Sequence, residues 1–271
     1  MTTLARTWKG VQALVLTAFV VTAILPFVLM VITALQPTDR LSWTIDLSQV
    51  SLHNFVILFE TYGFGRAVLN SAVVVTLSCL INVVVCSMAA FAFAKKPFPG
   101  SGLLFWVYLA TMMVPGQITL IPLFIIMRDL GLLNTYISLS LPVINAFGVF
   151  LIYQFMGGIP DELIEAARID GASDLRIFLS IVVPLIRPVL VALTVFTFLT
   201  VWNDFLWPLV SISDQEMNTV TVAVSNLQGA FAKRYGLVMA GATISFIVPL
   251  TVYLVLQRQF VEGVAATGLK G

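Results

Sequence analysis

Residues 165–184 read EAARIDGASDLRIFLSIVVP. Within this stretch stand a Glu-Ala-Ala triplet at Glu165, an Asp-Gly pair at Asp170, a Ser-Asp pair at Ser173 and a proline at Pro184. Upstream, Pro160 followed by Asp161 and Glu162 is a helix-start signal, because carboxylates are favoured at the positive end of a helix. Gly171 accepts the left-handed backbone that stops a helix. Ser173 is of the type that caps the next one. Leu175, Phe178, Leu179 and Val182 follow i, i+3, i+4, i+7 spacing, an apolar stripe on a second helix, and Pro184 is expected to end it. Glu165 and Arg168 stand three apart, placed to pair on one face. The residues alone fit two readings: a solvated helix pair resting on lipid headgroups, and a surface on which another protein docks.

What surrounds the stretch decides its setting. The chain has 271 residues, 59% of hydrophobic types and only 10% charged, where a soluble domain carries about 25% charged. So much apolar surface calls for a bilayer as solvent. Runs long enough to span it are Val11–Leu35, Ala67–Ala94, Leu103–Met127, Leu132–Met156, Pro188–Val210 and Leu237–Leu256. The expectation is an all-α, polytopic membrane protein with six transmembrane helices, residues 1–271 forming one transmembrane domain. Pro115-Gly116 and Pro122 lie inside the third run and are expected to kink it or end it near Pro115. The first run is longer than the apolar part of a signal peptide and reads as a retained span.

Six spans put both termini on one side. With that side cytoplasmic, Arg6, Lys9, Lys95, Lys96, Arg168, Arg176, Arg187, Arg258 and Lys270 lie inside, and Arg40, Arg66, Arg128, Lys233 and Arg234 outside. The excess of basic residues favours this orientation. The loop 157–187 is then cytoplasmic and the loop 211–236 external. A net charge of +1 gives no support for a nucleic-acid partner. Cys79 and Cys86 are about two turns apart, too far to pair in a helix, and read as buried thiols. His53 reads as a loop residue, and a single histidine makes no metal cluster. No G-x-x-x-x-G-K-[ST], no G-x-S-x-G and no histidine pair occurs, so no enzyme chemistry is expected of this chain.

The spacing of Glu165-Ala166-Ala167, three residues, Gly171, nine residues, then Ile181-x-x-Pro184 resembles the EAA loop of binding-protein-dependent ABC importer permeases. Val183 stands where the family usually has leucine. MMVPGQITLIPLF (112–124), GLLNTY (131–136), Asn70-Ser71, WNDFLWPL (202–209) and GVAATGLKG (263–271) are similar to the carbohydrate branch of that family, and in particular to the shorter membrane subunit of maltose-type importers. The resemblance implies a type I ABC importer permease fold in a bacterial plasma (inner) membrane, with N- and C-termini cytoplasmic. It implies a second permease subunit as heterodimer partner, two ABC ATPase subunits, an extracytoplasmic solute-binding protein, a carbohydrate substrate and membrane lipid around the spans. ATP and Mg would sit on the ATPase subunits, with no cofactor on this chain.

The resemblance also assigns roles. Glu165, Ala166, Ala167, Arg168, Asp170, Gly171, Ile181 and Pro184 would form the ATPase-coupling element, with the small side chains of Ala166 and Ala167 allowing close approach. The loop 211–236 would reach the solute-binding protein, and Gly268 and Lys270 the ATPase interface. Trp202, Asn203 and Asp204 would line a sugar path, since aromatic faces stack on sugar rings while amide and carboxylate bond hydroxyls. On the residues alone, an interfacial aromatic belt and a pairing of Asp204 with a partner subunit stay open. So do a permease for a non-sugar solute and an ion-coupled secondary transporter. The last needs ionisable groups inside spans, and here only Asp204 offers one.

Overall fold

The computed structural model describes residues 3–38, 46, 48–230 and 234–268, and every regular element among them is helical. In chain order the helices are α1 (Thr3–Ala34), α2 (His53–Thr61), α3 (Phe64–Lys95), α4 (Ser101–Ala110), α5 (Gly116–Asp129), α6 (Tyr136–Ser140), α7 (Ala146–Met156), α8 (Asp161–Ile169), α9 (Asp174–Ile177), α10 (Val183–Leu185), α11 (Arg187–Trp202), α12 (Leu206–Ser211), α13 (Val220–Ala230) and α14 (Tyr235–Gly268). His53, read as a loop residue, instead opens the short helix α2, and α13 lies within the expected external loop.

Three helices are long and apolar enough to cross a membrane unaided: Gly10–Ala34, Phe64–Lys95 and Tyr235–Gln257. Three bent pairs complete the six spans, Ser101–Met113 with Gly116–Asp129, Tyr136–Val143 with Ala146–Met156, and Asp174–Leu185 with Arg187–Trp202, at angles of 106°, 47° and 79°. The first break follows from proline chemistry. A residue before proline is pushed out of helical space, and Val114 and Pro115 are both extended, with ψ of 117° and 131°. The third run therefore ends at Pro115, while Pro122 is tolerated inside α5.

The break at Asn145 has a different cause. Its side chain accepts the Gly148 amide at 3.1 Å and starts α7 afresh, a local cap outcompeting helix continuation. The run Pro188–Val210 is likewise not one helix. It stops at Trp202 and restarts at Leu206. Pro184 does not end its helix as expected. The five residues Phe178–Val182 are π-helical, and the chain runs on through Pro184 to Leu185. Proline lacks an N–H and crowds the carbonyl four residues back; a wider π turn at that point accommodates both.

The chain packs as two compact units, Met1–Gly65 with Ala223–Ile247, and Arg66–Val222 with Val248–Gly271. In the first, Asn54 donates to the carbonyls of Ala34 at 2.8 Å and Gln36 at 2.9 Å, satisfying acceptors that a helix end leaves open. A Cβ on Gly236 would stand 2.3 Å from the Gln36 carbonyl oxygen, so only glycine fits there. Phe27 stacks on Phe246 with ring centroids 4.2 Å apart.

In the second unit a core of Cys86, Val149, Ile152, Met156, Ile177, Val182, Ile186 and Leu193 joins α3, α7, α11 and the stretch 177–186. Phe105 packs on Tyr153 at a centroid distance of 4.3 Å and on Phe93 at 5.3 Å. A smaller cluster around Val74, Met127, Leu139, Trp207 and Ile212 underlies the loop that follows α12.

Candidate functional site

The stretch 161–184 forms the helix pair expected of it, and its turn is set by local chemistry. Asp161 and Glu162 occupy the first turn of α8 and Arg168 its last, each complementing the helix dipole. The helix stops with Gly171 at φ +82°. The amide of Ala172 donates to the Ala167 carbonyl at 2.9 Å and that of Gly171 to Arg168 at 3.0 Å, the paired bonds of a Schellman motif. Ser173 then caps α9, its hydroxyl oxygen accepting from the Arg176 amide.

The residues expected to couple divide by direction. Ala167 and Ala172 turn inward and pack on the core, whereas Glu165, Ala166, Asp170 and Gly171 are exposed. Ile181 is half-buried and Pro184 exposed. Arg168 does not pair with Glu165; its guanidinium lies 3.8 Å from the Asp174 carboxylate across the turn. The expected apolar stripe is also corrected. Ile177, Phe178 and Val182 are buried, while Leu175 and Leu179 face outward. Ile177 and Phe178 together set the buried face, which leaves Leu175 and, within the π turn, Leu179 pointing away from the core. Ile169, at the tip of α8, is 86% exposed, and Leu163 joins it outside. Exposed apolar side chains thus stand among charged ones on both helices that flank the Gly171 turn.

Two lysines counted only as cytoplasmic charges hold this pair in place. Lys95, in the last turn of α3, donates to the Asp161 carboxylate at 2.6 Å and to the Ile159 carbonyl at 2.7 Å, and only 6% of its side chain is exposed. Lys96 pairs with Asp174 at the start of α9. Both arms of the loop are thus tied to the end of one helix. A sequence signal for this exists, a Lys-Lys pair closing an apolar helix where the C-terminal end favours cations, but the partners are set by tertiary packing.

At the other end of the same unit, a hydrogen-bond network orders the segment that follows α12. Asn70 donates to the carbonyls of Glu216 at 2.7 Å and Asn218 at 3.0 Å, and accepts from the Tyr136 hydroxyl at 2.8 Å. Ser71 accepts the Val220 amide at 2.8 Å. Asn134, left-handed at φ +58°, takes the amides of Ser213 and Asp214 on its side-chain oxygen. The Trp207 indole donates to the Ser138 carbonyl at 2.8 Å.

The proposed path residues sit at the break between α11 and α12. Trp202 is buried and stacks on Phe198 at 5.8 Å. Asn203 is exposed, its amide bonded back to the Leu199 carbonyl. Asp204 is half-buried; its carboxylate accepts the Trp207 amide at 3.4 Å, and its carbonyl accepts the Thr221 hydroxyl at 2.7 Å. It therefore acts as a cap at a helix restart, not as a charge inside a helix. Gly268 is the last helical residue of α14, and Lys270 lies outside the described residues.

Comparison with known proteins agrees with this architecture. The chain is 38% identical over 263 residues to the osmoprotective compounds uptake permease protein GgtD of Synechocystis sp., covering 91% of this chain and 87% of that protein. It is 34% identical over 260 residues to the arabinooligosaccharides transport system permease protein AraQ of Halalkalibacterium halodurans, covering 92% of each. Its fold matches a chain of a bacterial ABC transporter involved in the import of the acidic polysaccharide alginate, with a TM-score of 0.84 at 22% identity over 96% of this chain and 99% of that one. Residues 82–265 match the model of binding-protein-dependent transport system inner membrane components. This chain belongs to that family, as a transport subunit and not an enzyme.

Proposed function

We propose that this chain is one of two membrane subunits of an ATP-driven importer and that its solute is a carbohydrate delivered by a solute-binding protein. The observation that carries the coupling part is the outward edge of the 161–184 loop. Ile169, Leu163, Leu175 and Leu179 are exposed on a helix pair whose inner face is fixed to the core and whose ends are held by Lys95 and Lys96. An apolar edge rimmed by charge suits a protein partner, here an ATPase subunit on the cytoplasmic side. Ala166 and Gly171 leave room for close approach, and Glu165, Arg168 and Asp170 form the polar rim. ATP and Mg are held by the two ATPase subunits. Nucleotide binding has to favour one arrangement of the membrane subunits over another, or no conformational change follows. The loop is where that difference enters this chain.

The external counterpart is the segment 211–220, held by Asn70, Ser71 and Asn134, on the side where the solute-binding protein docks. Asn203 and Asp204 present an amide and a carboxylate at the α11–α12 break for sugar hydroxyls, and Trp202 shapes that break from within. The reach of α14 to Gly268, about 16 Å beyond Gln257 at the rise of a helix, supports contact of Gly268 and Lys270 with the ATPases. Membership of a binding-protein-dependent family removes the ion-coupled secondary transporter as an alternative. The carbohydrate assignment rests on the AraQ relative and on the segments at 112–124, 131–136, 202–209 and 263–271.

The test is to purify the chain with its co-expressed partners and binding protein and measure ATP hydrolysis. The panel of solutes contains arabino-oligosaccharides, disaccharides and non-sugar osmoprotectants. Stimulation by a carbohydrate is expected. Stimulation by non-sugar solutes alone overturns the carbohydrate assignment, and absence of an associated ATPase overturns the importer.

A further inference from the structure

Helix α3 differs from every other span in one respect. From Arg66 to Lys95 it contains neither glycine nor proline and runs unbroken. Among the described residues the other two long helices carry Pro26 and Pro249, and the remaining three spans are bent by 106°, 47° and 79°. Prolines and breaks are where helices yield. α3 has no such point.

Both ends of α3 are joined to segments that the proposed function places on opposite sides of the membrane. At the inner end Lys95 bonds the Asp161 carboxylate and the Ile159 carbonyl, and Lys96 bonds Asp174, so each arm of the coupling loop is gripped. At the outer end Asn70 is fully buried and uses both its amide hydrogens and its oxygen, on Glu216, Asn218 and Tyr136. Ser71 adds the Val220 amide. Asn70 and Lys95 are 25 residues apart in number, about 37 Å at the rise of a helix, against a hydrocarbon core of about 30 Å. Midway, Asn82 donates to the Thr197 hydroxyl at 2.9 Å, and Gly148 packs directly on Cys86. These contacts fasten α3 at mid-length to α11 and α7.

We propose that α3 is the strut that carries displacement of the coupling loop to the outer loop 211–220, with Lys95, Lys96 and Asn70 as its positioning residues. The inference rests on the importer reading for the direction of the input, and on nothing about the solute. The inner joint is firmest at Lys95, whose nearly buried ammonium holds both the Ile159 carbonyl and the Asp161 carboxylate; the more exposed Lys96–Asp174 pair adds less. The outer joint resists slipping because three buried polar groups would lose partners together. A rod that does not bend, bonded at both ends, passes displacement at Asp161 and Asp174 toward Glu216 and Asn218.

The test uses the complete transporter in lipid nanodiscs, without solute or binding protein. Exposed Gln215 is replaced (Gln215→Cys) and labelled with an environment-sensitive fluorophore, the signal of the unsubstituted chain is subtracted, and MgATP with vanadate is added. A nucleotide-dependent change in emission is expected. It falls by about fivefold or more in Lys95→Met, in Lys96→Met and in Asn70→Ala, with subunit assembly and basal ATP hydrolysis retained. Lys96→Arg, which keeps the charge, retains the signal within about twofold. A full signal in the Lys95→Met, Lys96→Met double variant, assembled and hydrolysing ATP, overturns the strut. So does a label that never responds to nucleotide in the otherwise intact chain. A responding label in a transporter that no carbohydrate stimulates leaves the strut standing and removes only the solute assignment.

Discussion

A Cβ added to Gly148 on α7 would lie 2.8 Å from the Cys86 sulfur and 3.2 Å from a Leu193 methyl, closer than any real carbon tolerates at the first contact. Overpacking of this kind costs about 1–3 kcal/mol. Gly148→Ala is therefore expected to lower the thermal stability of the purified complex, and Cys86→Ala to recover part of the loss. The pair then shows a coupling of about 1 kcal/mol in a double-mutant cycle; strict additivity would mean that the helices separate freely at this crossing. Asp204 gives a second test at the same scale, because its two roles come apart. Asparagine still offers an oxygen to the Trp207 amide, so Asp204→Asn retains the cap of α12, whereas Asp204→Ala loses it at a cost of about 1 kcal/mol. If the charge itself serves the sugar path, Asp204→Asn lowers uptake while thermal stability stays at the parental value. Unchanged uptake across sugar concentrations confines Asp204 to its capping role.

At the scale of elements the decisive feature is the turn between α8 and α9. Among the described residues no atom outside the turn lies within 4 Å of a Cβ built on Gly171, so a side chain there is open to whatever docks on it. The left-handed backbone adds strain for most residues, but asparagine and aspartate tolerate it. Gly171→Asp is expected to leave assembly intact and to cut solute-stimulated ATP hydrolysis by about tenfold or more; normal stimulation in the assembled variant removes the turn from the coupling contact. This turn was legible in the sequence because its signals are local: Gly171 sets its own backbone, and Ser173 bonds an amide three residues on. The break at Pro115 was legible for the same reason. The restarts at Asn145 and Asp204 were not, because a single cap within an apolar run looks like a polar residue inside a span until its backbone partner is seen. Nor were the π turn at Phe178–Val182 and the outward setting of Leu175 and Leu179 beside a buried Ile177. Lys95 and Asn70 were visible as a charge and as part of a motif. Their joints depend on residues about 60 and 150 positions away, which no periodicity encodes.

For the whole molecule, the distribution of apolar surface states the solvent and the distribution of charge states the orientation. From Val11 to Val28 α1 is exposed on all sides, and in the other unit Leu103, Trp106, Met113, Ile118 and Ile121 are exposed on α4 and α5. No aqueous fold leaves this much uncovered, so lipid or a second membrane subunit covers it. The basic residues then choose between the two ways of inserting six spans. With six spans, Arg6, Lys9, Lys95, Lys96, Arg168, Arg176, Arg187, Arg258 and Lys270 are expected on one side and five others on the opposite side. Lys95 and Lys96 add a structural reason to the statistical one, since they are engaged with the loop proposed to meet the ATPases and cannot be on the other side from it. The expected topology has both termini in the cytoplasm and the segment 211–220 outside. A fluorescent protein fused after Gly271 should fold and fluoresce in the cytoplasm. Alkaline phosphatase inserted next to Gln215 should be active, and inserted next to Gly171 inactive. The reverse pattern would place the apolar edge of the coupling loop away from ATP and end the importer reading together with the orientation. If instead the pattern holds, replacing both Lys95 and Lys96 by methionine leaves seven inside basic residues against five outside. The bias then persists, so that variant should keep its topology and test the strut alone.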